Sequence, residues 1–169
     1  MSHPNRKLVA EFHEAFEVTT PAERSETPSL PPLDPEDRRD LKFLAVRIQE
    51  AAEAAHSFAE QTPTSARHAF LRVQLMAEEL AEVVDAMSNY DITEVAHELA
   101  DLEYVVQGTV LAFGFDTTHE DCVAEIHRAN MSKLENGKPL TNEAGRVVKG
   151  KDFRPACVRD ILFARRRAS

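Results

Sequence analysis

Residues 65–113 read SARHAFLRVQLMAEELAEVVDAMSNYDITEVAHELADLEYVVQGTVLAF. Two helices are written here, separated by Asn89-Tyr90-Asp91. On both sides of that break apolar residues recur at three- and four-residue spacing, the period of an amphipathic helix. The first helix is expected over about 65–88 and the second over about 92–113, where Gly114 stops it. Each carries acids three residues apart, Glu79 and Glu82 on the first, Glu98 and Asp101 on the second. At that spacing the two carboxylates of a pair share a helix face.

Their place on the helical wheel matters more than their spacing. With Glu79 at zero and about 100° per residue, Val83 and Met76 lie within about 60° on one side, and Ala86 and Leu75 within about 40° on the other. Glu79 therefore stands inside the apolar arc, and Glu82 stands at its edge. Around Glu98 the same construction places Val95, Leu102, Val105 and Thr109 within about 60°. Asp101 is then the acid at the rim. Two consecutive helices carry one device, an acid within the core face and a second beside it. An ionised carboxylate in an apolar face is costly without compensation, and converging like charges raise the cost. A dication bound by oxygen ligands is the simplest remedy. Mg²⁺ fits, with Mn²⁺ a plausible substitute, and Glu79, Glu82, Glu98 and Asp101 are the candidate ligands.

Outward from this core the chain stays helical. Only Gly108 and Gly114 precede residue 137, so little interrupts a helix. Leu8, Val9, Phe12, Ala15 and Phe16 predict a helix over 4–17. Pro21, Pro28, Pro31, Pro32 and Pro35 mark a linker over about 18–34. Asp34-Pro35-Glu36-Asp37 is a helix start: an N-cap, a proline at the first position, acids in the first turn. That helix should reach about Gln61, with Leu41, Leu44, Ile48, Ala52, Ala55 and Phe58 on one face. Thr62-Pro63-Thr64-Ser65 stops it and caps the next. Thr117 or Thr118 caps a further helix over about 118–134. Asn136-Gly137 is a turn signal, and residues 138–155 read as a basic loop carrying Lys138, Arg146, Lys149, Lys151 and Arg154. A short helix is expected over about 156–166, with Arg165, Arg166 and Arg167 frayed. The expected fold is all-α: an antiparallel bundle of about five helices in one domain spanning 1–169, completed by dimerisation.

Composition narrows the function. A formal net charge of -9 makes the chain a poor sheath for a nucleic acid backbone but leaves room for a small phosphorylated ligand at a local basic patch. Cys122 and Cys157 are too few for a disulfide framework and read as reduced thiols. There is no membrane-length apolar run and no basic-then-apolar leader at the N-terminus. A cytoplasmic location is the expectation.

The basic segment complements the acids. Arg128 and Lys133 suit the C-terminal end of their helix. With the basic loop beyond them they could also meet the charge of a triphosphate beside a carboxylate–metal cluster. Two other readings stay open. Glu53-x-x-His56 and Glu94-x-x-His97 are the units of a di-iron carboxylate bundle, although His56 and His97 could be plain rim residues. A catalytically silent helical interaction module is the reading from another class.

At these residues the chain resembles the all-α NTP pyrophosphohydrolase superfamily of MazG-like proteins, dimeric dUTPases and phosphoribosyl-ATP pyrophosphohydrolases. Glu79, Glu82, Glu98 and Asp101 match its paired acidic motifs. Within it the chain looks most like MazG-like house-cleaning dUTPases of the Deinococcus type. Glu11–Phe16 resembles an N-terminal Phe-His motif of that group, His97–Val105 its second acidic motif, and His127–Lys133 its C-terminal motif. Gly145–Gly150 and Arg154-Pro155 look like its tail. The likeness covers about 8–16 and 70–160, and the segment of about 40–65 reads as an extra helix relative to shorter members.

The resemblance implies hydrolysis of dUTP or a related or non-canonical dNTP to the monophosphate and pyrophosphate, or phosphoribosyl-ATP hydrolysis within the same superfamily. It implies that the four acids hold the metal and that Glu78 orients or deprotonates the water. Lys133 would contact phosphate and Asn130 sugar or base, with His13, Arg128, Lys138 and Lys149 as further substrate contacts. It also implies a homodimer or tetramer.

Overall fold

The computed structural model describes residues 4–17, 28–143 and 146–163. Among them are six helices and one two-stranded sheet, so the fold class is the expected all-α one. The helices are α1 (Pro4–Ala15), α2 (Pro35–Gln61), α3 (Thr64–Asn89), α4 (Ile92–Ala112), α5 (His119–Met131) and α6 (Val158–Phe163). The strands are β1 (Leu134–Glu135) and β2 (Lys138–Pro139). The chain divides into two compact units, Ser25–Gly114 and Met1–Arg24 with Phe115–Ser169.

The first unit holds α2, α3 and α4. Asp34 caps α2 through the expected signal: its Oδ1 accepts from the backbone N–H groups of Glu36 and Asp37 at 2.8 and 2.9 Å. The Asp34 N–H donates in return to Asp37 Oδ2 at 3.1 Å, completing a capping box. Asp91 caps α4 by accepting from the Thr93 and Glu94 N–H groups, and Tyr90 closes α3 in the left-handed conformation at φ 61. The short links make neighbouring helices antiparallel. Residue numbers fall along α3 as they rise along α2: Lys42 meets Asp85, His56 meets Gln74, and the Phe58 and Phe70 rings sit 5.7 Å apart. The same holds for α3 against α4, where Arg72 bonds Thr109 and Glu82 meets Glu98.

Most of the expected face of α2 is turned inward, with Ala52 and Ala55 buried and Leu41 and Ile48 half-buried, but two of its positions are not. Leu44 and Phe58 are exposed, while Ala45, Ala52, Ala55 and Ala59 are buried. Their 7-3-4 spacing is a heptad seam, and their small side chains let the helix lie close against α3. Gly108 of α4 also serves packing, because a Cβ there would stand 2.8 Å from the Arg72 guanidinium. Arg72 uses that space to donate from Nη2 to the Val105 carbonyl at 2.6 Å and from Nε to Thr109 Oγ1 at 3.0 Å.

The other unit packs α1 and α6 against α5. Phe12 stacks on Phe16 at 4.2 Å between ring centres, and Phe16 and Ala129 are buried. Here the sequence expectation needs correction. The helix expected to reach residue 134 ends at Met131, and the segment expected to be loop contains β2 and a bridge from Thr141 to Val147. Asn136 and Gly137 both have positive φ, 53° and 76°, the geometry of a two-residue hairpin turn. That turn draws Leu134 and Glu135 into pairing with Pro139 and Lys138 instead of a last helical turn. The first helix likewise stops at Ala15, with Glu17 at φ 51. Residues 28–34 are without regular structure, as a proline linker should be. The rest of that linker, together with Gly145 and Arg165–Arg167, lies outside the described residues.

Candidate active site

The α3–α4 pair brings the acids together. Carboxylate oxygens of Glu79, Glu98 and Asp101 lie within 4.8 Å of one another, and all three residues are half-buried. Glu82 is exposed and shares a hydrogen bond with Glu98. Antiparallel packing is the cause. The pair on α3 and the pair on α4 sit at matching heights, so two i, i+3 faces close on one another.

The charges strain this arrangement. Burial raises the Glu79 carboxyl above its ordinary 4.5, and the charges of Asp101, Glu98 and Glu78 raise it further, against a small opposing effect of His97. The Glu82 carboxyl is raised as well, first by partial burial, then by its bond to Glu98 and the charges of Glu98, Glu79 and Glu78. Two basic side chains of this unit are engaged elsewhere: Lys42 pairs with Asp85, and Arg72 bonds α4. His97 Nε2 stands 3.0 Å from Asp101 Oδ2, the closest approach of a basic group to any of the four acids among the described residues.

A stability prediction follows from the direction of these shifts. A carboxyl whose folded pKa is raised holds its proton longer in the folded state than in the unfolded one. Its stabilising contribution is complete below 4.5 and is lost as pH rises through the raised values. The metal-free protein should therefore melt at a lower temperature at pH 7 than at pH 5. Glu79→Ala and Glu98→Ala should each raise the melting temperature at pH 7, since each removes a charge from a repulsive cluster. Calorimetry at the two pH values checks this. A wild type that melts higher at pH 7 than at pH 5, together with both variants melting lower than it, would mark these acids as structural ion-pair partners instead.

The donor set also fits a hard dication. Carboxylate oxygens, several within one ion's reach, are the ligands Mg²⁺ prefers. Glu94, His97 and Glu98 form a second group of donor atoms within 4.8 Å, on the exposed side of α4. Glu53 and His56, the other Glu-x-x-His unit, are in no such group among the described residues, and His56 is bonded to Gln74 instead.

Beside the acids lies a cavity of about 490 Å³ between α2, α3 and α4, within the usual range of small-molecule sites. Glu82 and Glu98 line one part of it, and Lys42, Gln49, Asp85 and Asn89 supply polar groups elsewhere. None of those last four was singled out from the sequence. They become neighbours only when α2 packs on α3, and no periodicity distinguishes them from surface residues. Gln74 was missed as well. It sits one turn before Glu78 and donates from Nε2 to Glu78 Oε1 at 2.8 Å.

The sequence-expected substrate contacts belong to the other unit. Arg128 forms a two-pronged pair with Glu125, Nε and Nη2 each at 2.8 Å, and its Nη2 also reaches the Pro155 carbonyl at 3.1 Å. Glu125 accepts in addition from the Cys157 N–H, and together these bonds hold its carboxyl down at about 2. Ser132 Oγ accepts from the Arg154 N–H at 2.9 Å. Arg128, Glu125 and Ser132 thus tie residues 154–157 to α5. Lys133 Nζ donates to Asn130 Oδ1 at 2.8 Å, Lys149 lies over the Phe153 ring at 4.6 Å, and Lys138 is exposed on β2. His13 is half-buried on α1, its ring edge-on to Phe12.

A helical unit that brings Glu79, Glu98 and Asp101 together from two antiparallel helices, with Glu82 bonded to Glu98, is consistent with the class of all-α NTP pyrophosphohydrolases. The family described as phosphoribosyl-ATP pyrophosphohydrolase matches residues 41–130, more than half of the 169, and the chain belongs to that family. No curated protein and no solved structure gives a match. The family region begins at Leu41, so α2 belongs to it and is not an addition. The N-terminal Phe-His stretch and everything beyond Asn130 lie outside it. Membership makes the protein a pyrophosphohydrolase, a hydrolase of acid anhydrides. Among the described residues no helix is long and apolar enough to cross a membrane.

Proposed function

We propose that this protein hydrolyses a nucleoside triphosphate, dUTP or a related or non-canonical dNTP, to the monophosphate and pyrophosphate. The observation that carries the reading is the convergence of Glu79, Glu98 and Asp101 within 4.8 Å. Glu79, Glu82, Glu98 and Asp101 would hold Mg²⁺, which would neutralise phosphate charge and acidify a bound water. Glu78 takes the proton of the attacking water. The bond between the α- and β-phosphates breaks as the new phosphorus–oxygen bond forms, and pyrophosphate leaves. The cavity on α2, α3 and α4 receives the nucleoside end. The resemblance also assigns substrate contacts to His13, Arg128, Asn130, Lys133, Lys138 and Lys149 of the other unit.

A second reading, phosphoribosyl-ATP as substrate, is favoured by the family match over residues 41–130. The experiment is a substrate panel in Mg²⁺: dUTP, dCTP, dTTP, damaged dNTPs and phosphoribosyl-ATP, with phosphate detected after added pyrophosphatase. Turnover of a dNTP supports the first reading, and turnover of phosphoribosyl-ATP alone supports the second. No turnover of any of them, with Mg²⁺ or Mn²⁺, leaves a silent interaction module.

The reading includes a homodimer or tetramer. The outer face of α4 presents Ala96, Ala100, Tyr104 and Leu111 as an apolar stripe, with Tyr104 81% and Leu111 67% exposed. Such a stripe suits burial against a second copy. Light scattering should give a multiple of the 18.9 kDa chain mass, and a Tyr104→Glu, Leu111→Glu double variant should give a smaller species. An unchanged mass for that variant would remove α4 from the interface.

A further inference from the structure

Two side chains outside the acidic pairs form a hydrogen-bonded line that ends on Glu78, with the carboxylate of Glu60 beside its far end. Gln74 Nε2 lies 2.8 Å from Glu78 Oε1, His56 Nδ1 lies 3.1 Å from Gln74 Oε1, and Glu60 Oε1 lies 3.5 Å from His56 Nε2. The line crosses from α2 to α3, so it exists only when those helices are packed. Its proton pattern can be worked out from one end. A carboxylate only accepts, so the Gln74 group facing Glu78 must be the NH₂. The far end of that amide is then a carbonyl, which also only accepts. His56 Nδ1 must therefore carry a proton. Gln74 is thus held at both ends and cannot turn its amide over without setting its carbonyl against the Glu78 carboxylate.

We infer that His56 and Gln74 are positioning residues for the hydrolytic step, locking Glu78 so that one carboxylate oxygen is anchored to Gln74 and the other stays free to take the water's proton. This rests on the proposed role of Glu78 as the base. An unanchored glutamate has three rotatable bonds, and the freedom is paid back at each turnover as misplacement of the accepting oxygen. His56 is more than half exposed and Glu78 half-buried, so the line runs along the edge of the α2–α3 contact and not through its alanine seam. Substitution there should spare the fold. The inference also gives a use to His56, which as part of a Glu-x-x-His unit had suggested a metal ligand.

The test is a double-mutant cycle in kcat, with dUTP in Mg²⁺, or phosphoribosyl-ATP if the panel selects it. Gln74→Leu should lower kcat roughly 10- to 100-fold, the worth of one hydrogen bond to a charged group, with KM and Mg²⁺ affinity little changed. In a Glu78→Gln background the same substitution should cost nothing further. His56→Leu should follow Gln74→Leu, and His56→Asn, whose amide nitrogen falls near the position of Nδ1, should recover most of the loss. Wild-type kcat for Gln74→Leu, with Glu78→Gln impaired, overturns the positioning role and leaves the base intact. An equal loss in both backgrounds overturns it as well, since that is what a purely structural role gives. Full activity of Glu78→Gln overturns the base assignment itself, and the positioning role with it.

Discussion

Glu82→Gln and Asp101→Asn are each expected to abolish turnover in Mg²⁺ while leaving the helical signal unchanged. Both substitutions keep the shape of the side chain and remove its charge. Asp101 stands with Glu79 and Glu98 inside a single 4.8 Å group, and Glu82 reaches the same point through Glu98. An amide oxygen is a much poorer partner for a dication than a carboxylate, and a hard cation that dehydrates reluctantly needs charge to be held at all. The fold should tolerate the change, because neither acid is fully buried and the seam of the unit is made by alanines and valines elsewhere. Removing one member of a repulsive cluster relieves charge in the metal-free state, so folding has nothing to lose. Calorimetric Mg²⁺ titration beside an activity assay and circular dichroism makes the check. Near-wild-type turnover in either variant would sink the metal assignment at that residue.

Glu78→Gln should lower turnover by something like 10²–10⁴, the usual range for a lost general base, with Mg²⁺ and nucleotide affinity almost unchanged. Glu78 neighbours Glu79 in sequence but is turned about 100° away on the helix, beside Glu82 four residues on. It is in none of the groups of converging donor atoms among the described residues, and one of its oxygens is bound by Gln74. An acid close to the cluster yet outside it is placed to accept a proton and not to ligate. Calorimetry with a non-hydrolysable analogue separates the outcomes. Collapse of metal affinity along with rate would make Glu78 a ligand and send the search for the base elsewhere. Unchanged rate and affinity would make it a surface residue.

The sequence by itself determined the helices and the acids. A cap such as Asp34 acts within one turn, so the start of that helix is a local matter that a single stretch of residues can state, whereas the cap expected at Thr118 makes no side-chain capping bond and the cap at Asp91 reads in the sequence only as a turn. Glu79 and Glu98 betrayed themselves by standing inside apolar arcs, where only a compensating partner makes sense. Period and charge were enough for both. The turn at Asn136-Gly137 was legible too, but its consequence was not: that the turn would take Leu134 and Glu135 from the helix into a hairpin depends on a pairing across it.

Tertiary structure alone decided which residues meet. At two positions the α2 seam takes an alanine where a large apolar side chain was expected, Ala45 beside Leu44 and Ala59 beside Phe58, because close approach of two helices is limited by bulk and not driven by hydrophobicity alone. That choice of face fixed what lies beside the acids: Lys42, Gln49, Asp85 and Asn89 around the cavity, and His56 against Gln74. Each of these contacts joins residues 18 or more positions apart, as His56 and Gln74 are, or 43, as Lys42 and Asp85 are. A helical period relates residues within a few turns of one helix, whereas the pairing of one helix with another is set by how their surfaces interlock, which no local pattern encodes.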